Sequence, residues 1–486
     1  MAFEPASRGV TPIDFTVFHN IIDGKLTSTK ETRRTINPST LKENAEVPLS
    51  TADDLERAID AAHAAAPAWA EVPWEDRRKA VEAYADAIEA NVDGLAKLLV
   101  LETGFPLPMT IHEVHWGVEW LRDFCKLTLP EKVTQSTWGR HVVERYIPIG
   151  VTAGIVPWNG PCILGCGKIS PALLAGNALI LKPSPFAPYT LLKMVEIGLP
   201  FFPKGVLQCI SGEDDLGPMI TSNPRIGKIS FTGSCETGQK VVKSCGSAGL
   251  KRMTLELGGN DPAIVLEDAD PAVVGPRIAR IALLRSGQLC MAVKRLYVHE
   301  KIYDAVLDEV VKYVTNAKFG DGFEEGVIIG PISNRPQYER VKEILEEIKA
   351  AKLKVIPENG CSTEGLSGWF VRPMVIDNPP DDAAIVVNEP FAPILPVMKW
   401  SDEADVIRRA NDTNYGLGAS VWTKDLDRGN RIVRKLEAGS VWINGHAELH
   451  ASTGFACIKE SGFGSELGVP GLIGWCNMQS VWTNAA

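Results

Sequence analysis

The sequence predicts an α/β protein with two domains, each a mostly parallel sheet covered by helices, together with a small separate β-ribbon. The first observation is length, because 486 residues exceed what a single hydrophobic core normally organises. The second is a long alternation of apolar, strand-like segments with amphipathic helical segments, which is typical of parallel sheets. The third is a pair of segments in which apolar and polar residues alternate, a pattern that indicates edge strands.

The amino-terminal hundred residues are predicted to be mainly helical, after a short β segment at NIIDGKL. In STADDLERAIDAAHAAAPAWA, Ser50 or Thr51 can cap a helix that places Leu55 and Ile59 on one face. The following stretch, EDRRKAVEAYADAIEANVDGLAKLLVLETG, continues in the same style. Its helical pattern ends at Gly104, a residue type that commonly closes helices.

Strands and helices then alternate along the chain. The predicted order is IGVTAGIVPW (strand), KISPALLAGN (helix), ALILKPSP (strand), APYTLLKMVEIGL (helix), VLQCISG (strand), LGPMITS (helix), IGKISFTGS (strand), ETGQKVVKSCGS (helix) and KRMTLELGG (strand). This rhythm predicts a parallel sheet with helices on both faces. A second alternating block runs from Gly259 to AGSVWINGH and predicts a second α/β domain.

Two segments, RHVVERYIPIG and GWCNMQSVWTN, have the pattern of edge strands. Each would leave backbone donors and acceptors unpaired in a monomer. We therefore predict that they form a ribbon through which subunits associate, as a homodimer or a homotetramer.

Composition and charge narrow the class of partner. The formal net charge of −10 and the pI of about 5.5 disfavour nucleic acid or an anionic membrane as the main partner. We expect no membrane span, because no run of about 18 uncharged apolar residues occurs, and MAFEPASRGV lacks the apolar core of a signal peptide. The ten cysteines are scattered, so reduced thiols in the cytoplasm and no metal site are expected.

One cysteine, Cys290, lies in RSGQLCMAVKR after a small Ser286-Gly287 pair. The cations Lys294 and Arg295 are expected to favour its thiolate. On this stretch alone, however, a buried structural cysteine is the better interpretation. The role of Cys290 therefore depends on the other motifs of the chain.

Three of those motifs follow predicted strands. Gly233 and Gly238 lie at a strand-to-helix turn after ISF, where glycine lets a phosphate approach the backbone; a plain tight turn is the alternative. In PWNGP, Asn159 can donate to a developing oxyanion, or it can be a turn residue between prolines. In LELGGND, Glu256 can be a general base or a salt-bridged glutamate.

These motifs occur in the order of a known family. The chain contains PWN with Asn159, LKPS with Lys182, FTGS, LELGG with Glu256, GQLC with Cys290 and EPFAP with Glu389, and further on NDTNYGLGASVWT, AGSVWINGH and KESGFGSELG. Over essentially its whole length the sequence resembles the aldehyde dehydrogenase superfamily. By this resemblance, Cys290 stands in the position of the family nucleophile.

The resemblance implies oxidation of an aldehyde to a carboxylic acid by NAD, with NADP as an alternative, through a cysteine thiohemiacetal and a thioester that water hydrolyses. The implied catalytic residues are Cys290, Glu256, Asn159, Lys168 and Glu466. In this scheme Asn159 and the Cys290 N–H hold the oxyanion, and Lys168 and Glu466 complete a proton path from Glu256. The implied cofactor-binding residues are Val156, Trp158, Lys182, Gly233, Ser234, Gly238, Leu257, Glu389 and Phe391.

The resemblance also implies a domain organisation: a Rossmann-like cofactor-binding domain, a second α/β catalytic domain and a small β oligomerisation ribbon. The expected bounds are 1–129 and 149–258 for the cofactor-binding domain, 259–446 for the catalytic domain, and 130–148 and 470–486 for the ribbon, with 447–469 returning to the cofactor-binding domain.

Departures from the family pattern concern the cofactor and the substrate. Pro185 replaces a glutamate that often follows KPS, so we expect NADP to be tolerated, with a modest preference for NAD because the nearby sequence adds no arginine. Arg285 replaces a common asparagine. Gly160 and Gly167 replace aromatic residues, which predicts a wide cavity and a bulky aldehyde; the alternative is that the loop AELHASTG refills the space. The implied substrate-pocket residues are Gly160, Leu164, Gly167, Met291, Leu449 and Phe455.

The segment HAELH has a second interpretation. His446, Glu448 and His450 would share one face of an extended segment, a spacing that metal ligands can have. The resemblance instead places this loop at the substrate entrance, where it contacts substrate or is solvated. Two alternatives to the leading function remain: a CoA-acylating semialdehyde dehydrogenase, disfavoured because Glu256 is retained, and a catalytically silent structural or binding protein on the same scaffold.

Overall fold

The computed structural model describes residues 12–360 and 367–484. Two large sheets organise the chain. The strands of the first sheet are, in spatial order, Lys25–Thr27, Asn20–Ile22, Leu207–Cys209, Ala178–Lys182, Val151–Ile155, Lys228–Thr232, Arg252–Glu256 and Gly462–Phe463. Its central strands, from Leu207–Cys209 to Arg252–Glu256, run parallel, and the strands outside them are antiparallel. The predicted parallel sheet is thus confirmed.

Helices cover both faces of the first sheet, so its central strands are buried at nearly every position. The helices that accompany it are Ala52–Ala70, Trp74–Glu89, Val92–Thr103, Leu107–Phe124, Pro161–Leu174, Tyr189–Gly198, Leu216–Ser222 and Cys235–Ser247. Thr51, not Ser50, caps the first of them by accepting from the Asp54 N–H. Gly104 ends the third in a left-handed conformation, with φ 78°. The sequence pattern did not predict the helix Leu107–Phe124.

The second sheet is built on the same alternation. Its strands are, in spatial order, Lys354–Ile356, Met374–Asp377, Ile394–Trp400, Val293–His299, Asp261–Val265, Gly418–Trp422 and Ser440–Ile443. The helices between them are Pro271–Ala282, Tyr303–Asn316, Arg335–Ala350, Ala384–Val387, Glu403–Asn411 and Leu426–Val433, with 3₁₀ turns at Leu284–Gly287 and Glu300–Ile302. The α/β class predicted for this half is confirmed.

The two predicted edge segments form one small sheet with a third strand. The order is Cys476–Asn484, Arg140–Pro148 and Lys132–Thr137. The first two pair with each other along their whole length, so the expectation that each leaves its backbone unpaired is wrong. Within the described chain, no further strand pairs with the outer side of Cys476–Asn484 or with the outer side of Lys132–Thr137. Every residue of Lys132–Thr137 is exposed.

Shorter elements complete the described chain. The hairpin Thr32–Ile36 with Glu43–Pro48 was not predicted. The remaining elements are the pairs Tyr415–Gly416 with Ile458–Lys459 and Phe455–Ala456 with Ser465–Glu466, and the helix Gly468–Ile473. Across residues 12–360 and 367–484, no helix is both long and apolar enough to cross a membrane.

Candidate active site

Two cavities meet between the carboxyl ends of the parallel strands of the first sheet and the amino ends of the strands of the second sheet. The carboxyl ends of parallel strands are the region where ligands collect in α/β proteins. Asn159, Thr232, Leu257 and Cys290 line both cavities. The smaller cavity has about 620 Å³ of empty space and mainly apolar walls. The larger has about 1030 Å³ and is more polar. The chain is therefore arranged to bring two different ligands together at Cys290.

Cys290 lies on a turn just after the 3₁₀ segment Leu284–Gly287. Two consecutive non-glycine residues of that segment, Arg285 and Ser286, have φ of 53° and 58°, in the left-handed region. Gly287 also has positive φ, 71°, and a Cβ there would clash with the backbone of Ala392. The approach to Cys290 is thus a tight bend that needs glycine at this point.

Burial raises the pKa of the Cys290 thiol to about 12, against the opposing positive charge of Lys294. Arg295 does not take part, because its guanidinium donates to the backbone carbonyls of Asn260, Arg409 and Ala410. The expectation that both cations favour the thiolate is therefore wrong for Arg295. The charge of Lys294 does favour the thiolate, but it does not outweigh the effect of burial on the pKa of Cys290.

Asn159 stands beside the same turn, after the strand Val151–Ile155. Its Nδ2 donates to the Gln288 carbonyl at 3.1 Å. Its own carbonyl accepts from Arg285, whose Nη2 lies 3.0 Å from Oε2 of the buried Glu113. Arg285 therefore holds the backbone that carries the Asn159 amide. Glu113 was missed because it lies on a helix that the sequence pattern did not predict.

Glu256 ends the strand Arg252–Glu256 and lines the smaller cavity. Among the described residues, its carboxylate oxygens make no ion pair and no hydrogen bond of ordinary length and angle, although the Cys457 thiol and the Glu466 backbone N–H lie close to them. The alternative of a salt-bridged glutamate is therefore wrong. Burial, reinforced by the nearby Glu466, raises the pKa of Glu256 well above its ordinary value. Such a carboxylate is disposed to accept a proton.

A buried polar network lies next to Glu256. Lys168 Nζ donates to Glu466 Oε1 at 2.5 Å, to Ser230 Oγ at 3.0 Å and to Thr232 Oγ1 at 2.9 Å. Ser230 Oγ also donates to Glu466 Oε1 at 3.1 Å. Thr232 pairs directly with Glu256 on the neighbouring parallel strand, so both side chains project from the same face. The structure thus brings the predicted Lys168–Glu466 pair beside the predicted base.

The larger cavity collects most of the predicted cofactor residues. Those that line it are Trp158, Gly233, Ser234, Leu257, Glu389 and Phe391. The helix Cys235–Ser247 begins here, capped by Ser234, and a helix N-terminus after glycine suits a phosphate. Trp158 and Phe391 form an edge-to-face pair, 5.5 Å between ring centroids, that can flank a flat ring. These residues fit a dinucleotide.

Three predicted cofactor residues, Val156, Lys182 and Gly238, do not line the larger cavity. The Val156 N–H donates to the Lys182 carbonyl at 3.0 Å, where their strands end. Gly238 packs under Leu257, and a Cβ at Gly238 would come within 2.6 Å of a Leu257 methyl. Gly238 therefore allows the helix to approach the sheet closely, a packing role that the motif alone did not distinguish from phosphate contact.

The sequence matches the description "Aldehyde dehydrogenase family" over residues 26–481. The chain belongs to the aldehyde dehydrogenase family. It is similar to aldehyde dehydrogenase LUC3 of Fusarium sp., with 36% identity over 97% of this chain and 99% of the relative. Its structure is similar to an NAD⁺ complex of an aldehyde dehydrogenase from Bacillus cereus, with a TM-score of 0.93 and 33% identity over 96% of this chain and 97% of that one.

A second solved structure, an NADP-dependent enzyme of E. coli, has a TM-score of 0.93 and 30% identity over 97% of this chain and 99% of that one. The family match and these structures confirm the predicted family, fold class and enzyme class. The protein is an NAD(P)-dependent aldehyde dehydrogenase.

The dehydrogenase carries an arginine next to Pro185. Arg33, from the unpredicted hairpin, donates through Nη1 to the Pro185 carbonyl at 2.7 Å, and its Nε lies 3.2 Å from Glu213 Oε1. Burial lowers the pKa of the neighbouring Lys182 to about 8. The expectation that no arginine lies nearby is therefore wrong; the sequence separation of 152 residues concealed it.

The smaller cavity of the dehydrogenase contains most of the predicted substrate-pocket residues. Those that line it are Gly160, Leu164, Met291, Leu449 and Phe455. Gly167 does not, because the Trp120 ring stands against it, 3.0 Å from where a Cβ would be. Arg285 Nη1 similarly stands 2.8 Å from a Cβ position at Gly160. Trp120 and Arg285 thus stand against these two glycines, and the loop AELHASTG contributes Leu449 to the wall of the same cavity.

Two tryptophans that the sequence analysis missed form one wall of this cavity. Trp116 and Trp120 both line it, with ring centroids 5.8 Å apart in an edge-to-face pair. They lie one helical turn apart on Leu107–Phe124. A tryptophan followed four residues later by another was the available signal, since such spacing places both rings on one face.

The two histidines of the HAELH segment, His446 and His450, do not lie at one site. His446 is buried behind Cys290, with Nδ1 2.8 Å from Ser420 Oγ and Nε2 3.1 Å from the Met291 carbonyl. His450 is exposed and lies 3.2 Å from Asp123. The expectation of His446 at the cavity mouth is therefore wrong. In the part of the chain that the structure describes, no cluster of three or more His, Cys, Asp or Glu residues suits a metal.

Proposed function

We propose that Cys290 attacks the aldehyde carbon at the junction of the two cavities. Glu256 takes the thiol proton, a carbon–sulfur bond forms, and the carbonyl electron pair moves to oxygen. The Asn159 amide and the Cys290 N–H stabilise this oxyanion, a device worth about 3–4 kcal/mol per donor in other enzymes. The chemistry that bound NAD(P)⁺ supplies is acceptance of a hydride, which leaves the substrate as a thioester of Cys290.

Hydrolysis of the thioester follows. Glu256, having passed its first proton toward Glu466 and Lys168, takes a proton from water, whose oxygen attacks the thioester carbon. The carbon–sulfur bond breaks, the carboxylic acid leaves, and the Cys290 thiolate takes the proton from Glu256, which restores both the thiol and the base. Ser230 and Thr232 support this proton path through their hydrogen bonds to Lys168.

The observation that carries this proposal is the presence around one cavity of Cys290, Asn159 and a buried Glu256 that forms no ion pair among the described residues. The test is reduction of NAD⁺ and NADP⁺ with a panel of aldehydes, with and without CoA. We expect reduced cofactor and free acid in the absence of CoA. A requirement for CoA would favour the acylating alternative, and no reduction with any aldehyde would favour a silent scaffold.

We propose further that the substrate is a bulky, mainly apolar aldehyde. The support is the apolar wall beside Cys290, which Trp116, Trp120, Leu449 and Phe455 form. Aromatic walls favour aromatic substrates through ring contacts. We therefore expect aromatic or branched aldehydes to have higher kcat/KM than acetaldehyde.

Trp116→Ala should separate these substrates. Loss of one ring contact, worth about 0.5–1.5 kcal/mol, should lower kcat/KM for flat aromatic aldehydes by up to about tenfold, and it should leave acetaldehyde nearly unchanged. The measurement is steady-state kinetics on both substrates, with Trp74→Ala, a tryptophan that lines neither cavity, as the control. Acetaldehyde as the best wild-type substrate would contradict the proposal.

Coenzyme choice depends on Pro185. We propose that NAD⁺ and NADP⁺ both work, because Pro185 does not repel a 2′-phosphate and Arg33 offers it a cation. Pro185→Glu should lower the ratio of NADP⁺ to NAD⁺ efficiency by about tenfold, since a carboxylate repels the phosphate and competes for Arg33. Pro185→Ala is the control and should keep the wild-type ratio. An unchanged ratio in the glutamate variant would disprove the argument.

We propose that the enzyme is a homodimer or a homotetramer assembled through its ribbon. The support is the exposed outer strand Lys132–Thr137 and the outer edge of Cys476–Asn484, both long enough to pair with another copy. Sedimentation velocity at micromolar concentration should show a dimer or a dimer of dimers. A stable, active monomer under these conditions would end the proposal.

A further inference from the structure

Lys294 lies directly behind the turn that carries Cys290. Its side chain is 3% exposed, and its ammonium meets three acceptors. The Leu289 carbonyl is at 2.9 Å, the Cys290 carbonyl at 2.5 Å and Glu389 Oε1 at 3.1 Å. An ammonium has three donors, so these contacts use its full capacity. Lys294 thus has no N–H donor left with which to bind a ligand.

The direction of the Leu289 carbonyl sets the direction of the Cys290 N–H. In a trans peptide the C=O and the following N–H point in opposite directions. Because the Leu289 carbonyl faces Lys294, the Cys290 N–H faces away from it. Within the described residues no acceptor receives this N–H. It therefore remains available on the side where Cys290 lines the cavities.

The neighbouring carbonyls are held in the same way. His446 Nε2 lies 3.1 Å from the Met291 carbonyl, so three consecutive carbonyls, from 289 to 291, each contact a buried side chain. Gly259 leaves room for this arrangement, since a Cβ there would stand 2.7 Å from the Cys290 carbonyl. Rotation of the 289–290 peptide would break the contact between the Leu289 carbonyl and the buried ammonium, and the contact of Lys294 with the Cys290 carbonyl holds the next peptide as well.

We propose that Lys294 is a positioning residue that aims the Cys290 N–H at the substrate oxyanion and holds Glu389 on the cofactor side. The inference rests on the proposed function, because it requires an oxyanion at Cys290. The Lys294 ammonium then contacts both the backbone of Cys290, which supplies the oxyanion donor, and the carboxylate of Glu389, which faces the larger cavity. Lys294 also acts on the nucleophile by charge, since it is the main group that opposes the effect of burial on the pKa of Cys290.

The test compares Lys294→Met and Lys294→Arg with a matched control, Lys193→Met. Lys193 is also a buried lysine in an ion pair, with Glu196 at 2.5 Å, but it lines neither cavity. Three measurements are made on each protein: kcat and KM for one aldehyde, NAD⁺ affinity by titration calorimetry, and the pH profile of Cys290 alkylation by iodoacetamide without cofactor.

For Lys294→Met we expect kcat to fall by about 100-fold, as for loss of an oxyanion donor, with little change in aldehyde KM. We also expect weaker NAD⁺ binding and an alkylation profile displaced to higher pH. Lys294→Arg keeps the charge but not the contact geometry. It should retain the wild-type alkylation profile while kcat falls. Lys193→Met should behave as wild type in all three measurements.

Wild-type kcat and alkylation profile in Lys294→Met would overturn the proposal, as would an equal loss of kcat in Lys193→Met. If Lys294→Met does not fold, Lys294→Gln, which keeps an N–H donor but no charge, carries the same comparison. Failure of the wild type to oxidise any aldehyde would refute the proposed function instead. The alkylation profiles need no cofactor, so they would still decide whether Lys294 acts on Cys290.

Discussion

Cys290→Ala is expected to lower kcat by about 10⁴-fold or more, the scale of loss when a nucleophile is removed from other enzymes. The reason is that neither the thiohemiacetal nor the thioester can form without the sulfur. The turn should survive, because its shape depends on the tight bend at Gly287 and on backbone contacts rather than on the thiol. The loss of kcat is measured by cofactor reduction with an aldehyde, and the integrity of the fold by thermal unfolding.

The control for this prediction is Cys245→Ala. Cys245 is a free cysteine that is buried, whereas Cys290 is partly accessible. Cys245 lies near the carboxyl end of the helix Cys235–Ser247 and lines neither cavity. It should keep wild-type activity. If Cys290→Ala retained more than about a hundredth of the wild-type turnover, Cys290 would not be the nucleophile, and the buried structural interpretation would be preferred.

Glu256→Gln is expected to slow thioester hydrolysis by about 10²- to 10⁴-fold, the usual contribution of a general base. Hydride transfer should slow as well, because Glu256 also takes the thiol proton. It should slow less than hydrolysis, because a cysteine thiol needs less help from a base than water does and the oxyanion donors Asn159 and Cys290 are unchanged. The variant should therefore show a pre-steady-state burst of reduced cofactor followed by slow turnover. Mass spectrometry of the quenched enzyme should find the acyl group on Cys290.

The matched control is Glu102→Gln. Glu102 is an equally buried glutamate, but its oxygens accept the backbone N–H groups of Tyr189 and Thr190, away from both cavities. It should show no burst beyond that of wild type. Equal loss of burst and turnover in Glu256→Gln would show that Glu256 does not act chiefly in hydrolysis.

The acidity of Glu256 also predicts a pH dependence. Because burial and Glu466 raise the pKa of Glu256, its protonated form persists to higher pH than in an exposed glutamate. The base form grows as pH rises, so steady-state turnover should increase with pH above the range in which an exposed glutamate titrates, and it should decline on acidification. Glu256→Gln should lose this dependence in the hydrolysis step.

Local sequence patterns predicted most of the regular structure. Buried strands and amphipathic helices differ in the period at which their apolar residues recur, so the pattern distinguishes them. The predicted helix LGPMITS, for example, agrees with Leu216–Ser222 residue for residue. The helix Leu107–Phe124 was missed, and the long helical stretch before it was not expected to break at Ala90 and Asn91. The hairpin at Thr32–Ile36 was missed as well, because its strands are short and mostly exposed.

The motifs predicted the central residues of the candidate site but not their partners. Asn159 and Glu256 lie at the carboxyl ends of strands of the first sheet, and Cys290 lies on the turn before the strand Val293–His299 of the second sheet. Motif recognition predicted that these residues act together, and the junction of the two sheets brings them together. Glu113 and Trp120 carry no motif. They reach the site because a helix from earlier in the chain packs against Pro161–Leu174.

By itself, the sequence determined the family, the α/β class and the identity of the candidate nucleophile, base and oxyanion donor, because these depend on local periodicity and on short motifs in a set order. Only the tertiary structure decided what surrounds them: Arg33 against Pro185, Trp120 in the space left by Gly167, and three acceptors around Lys294. The physical reason is that cavity shape and the ionisation of buried groups depend on side chains from distant segments, and no local pattern records which of them will meet.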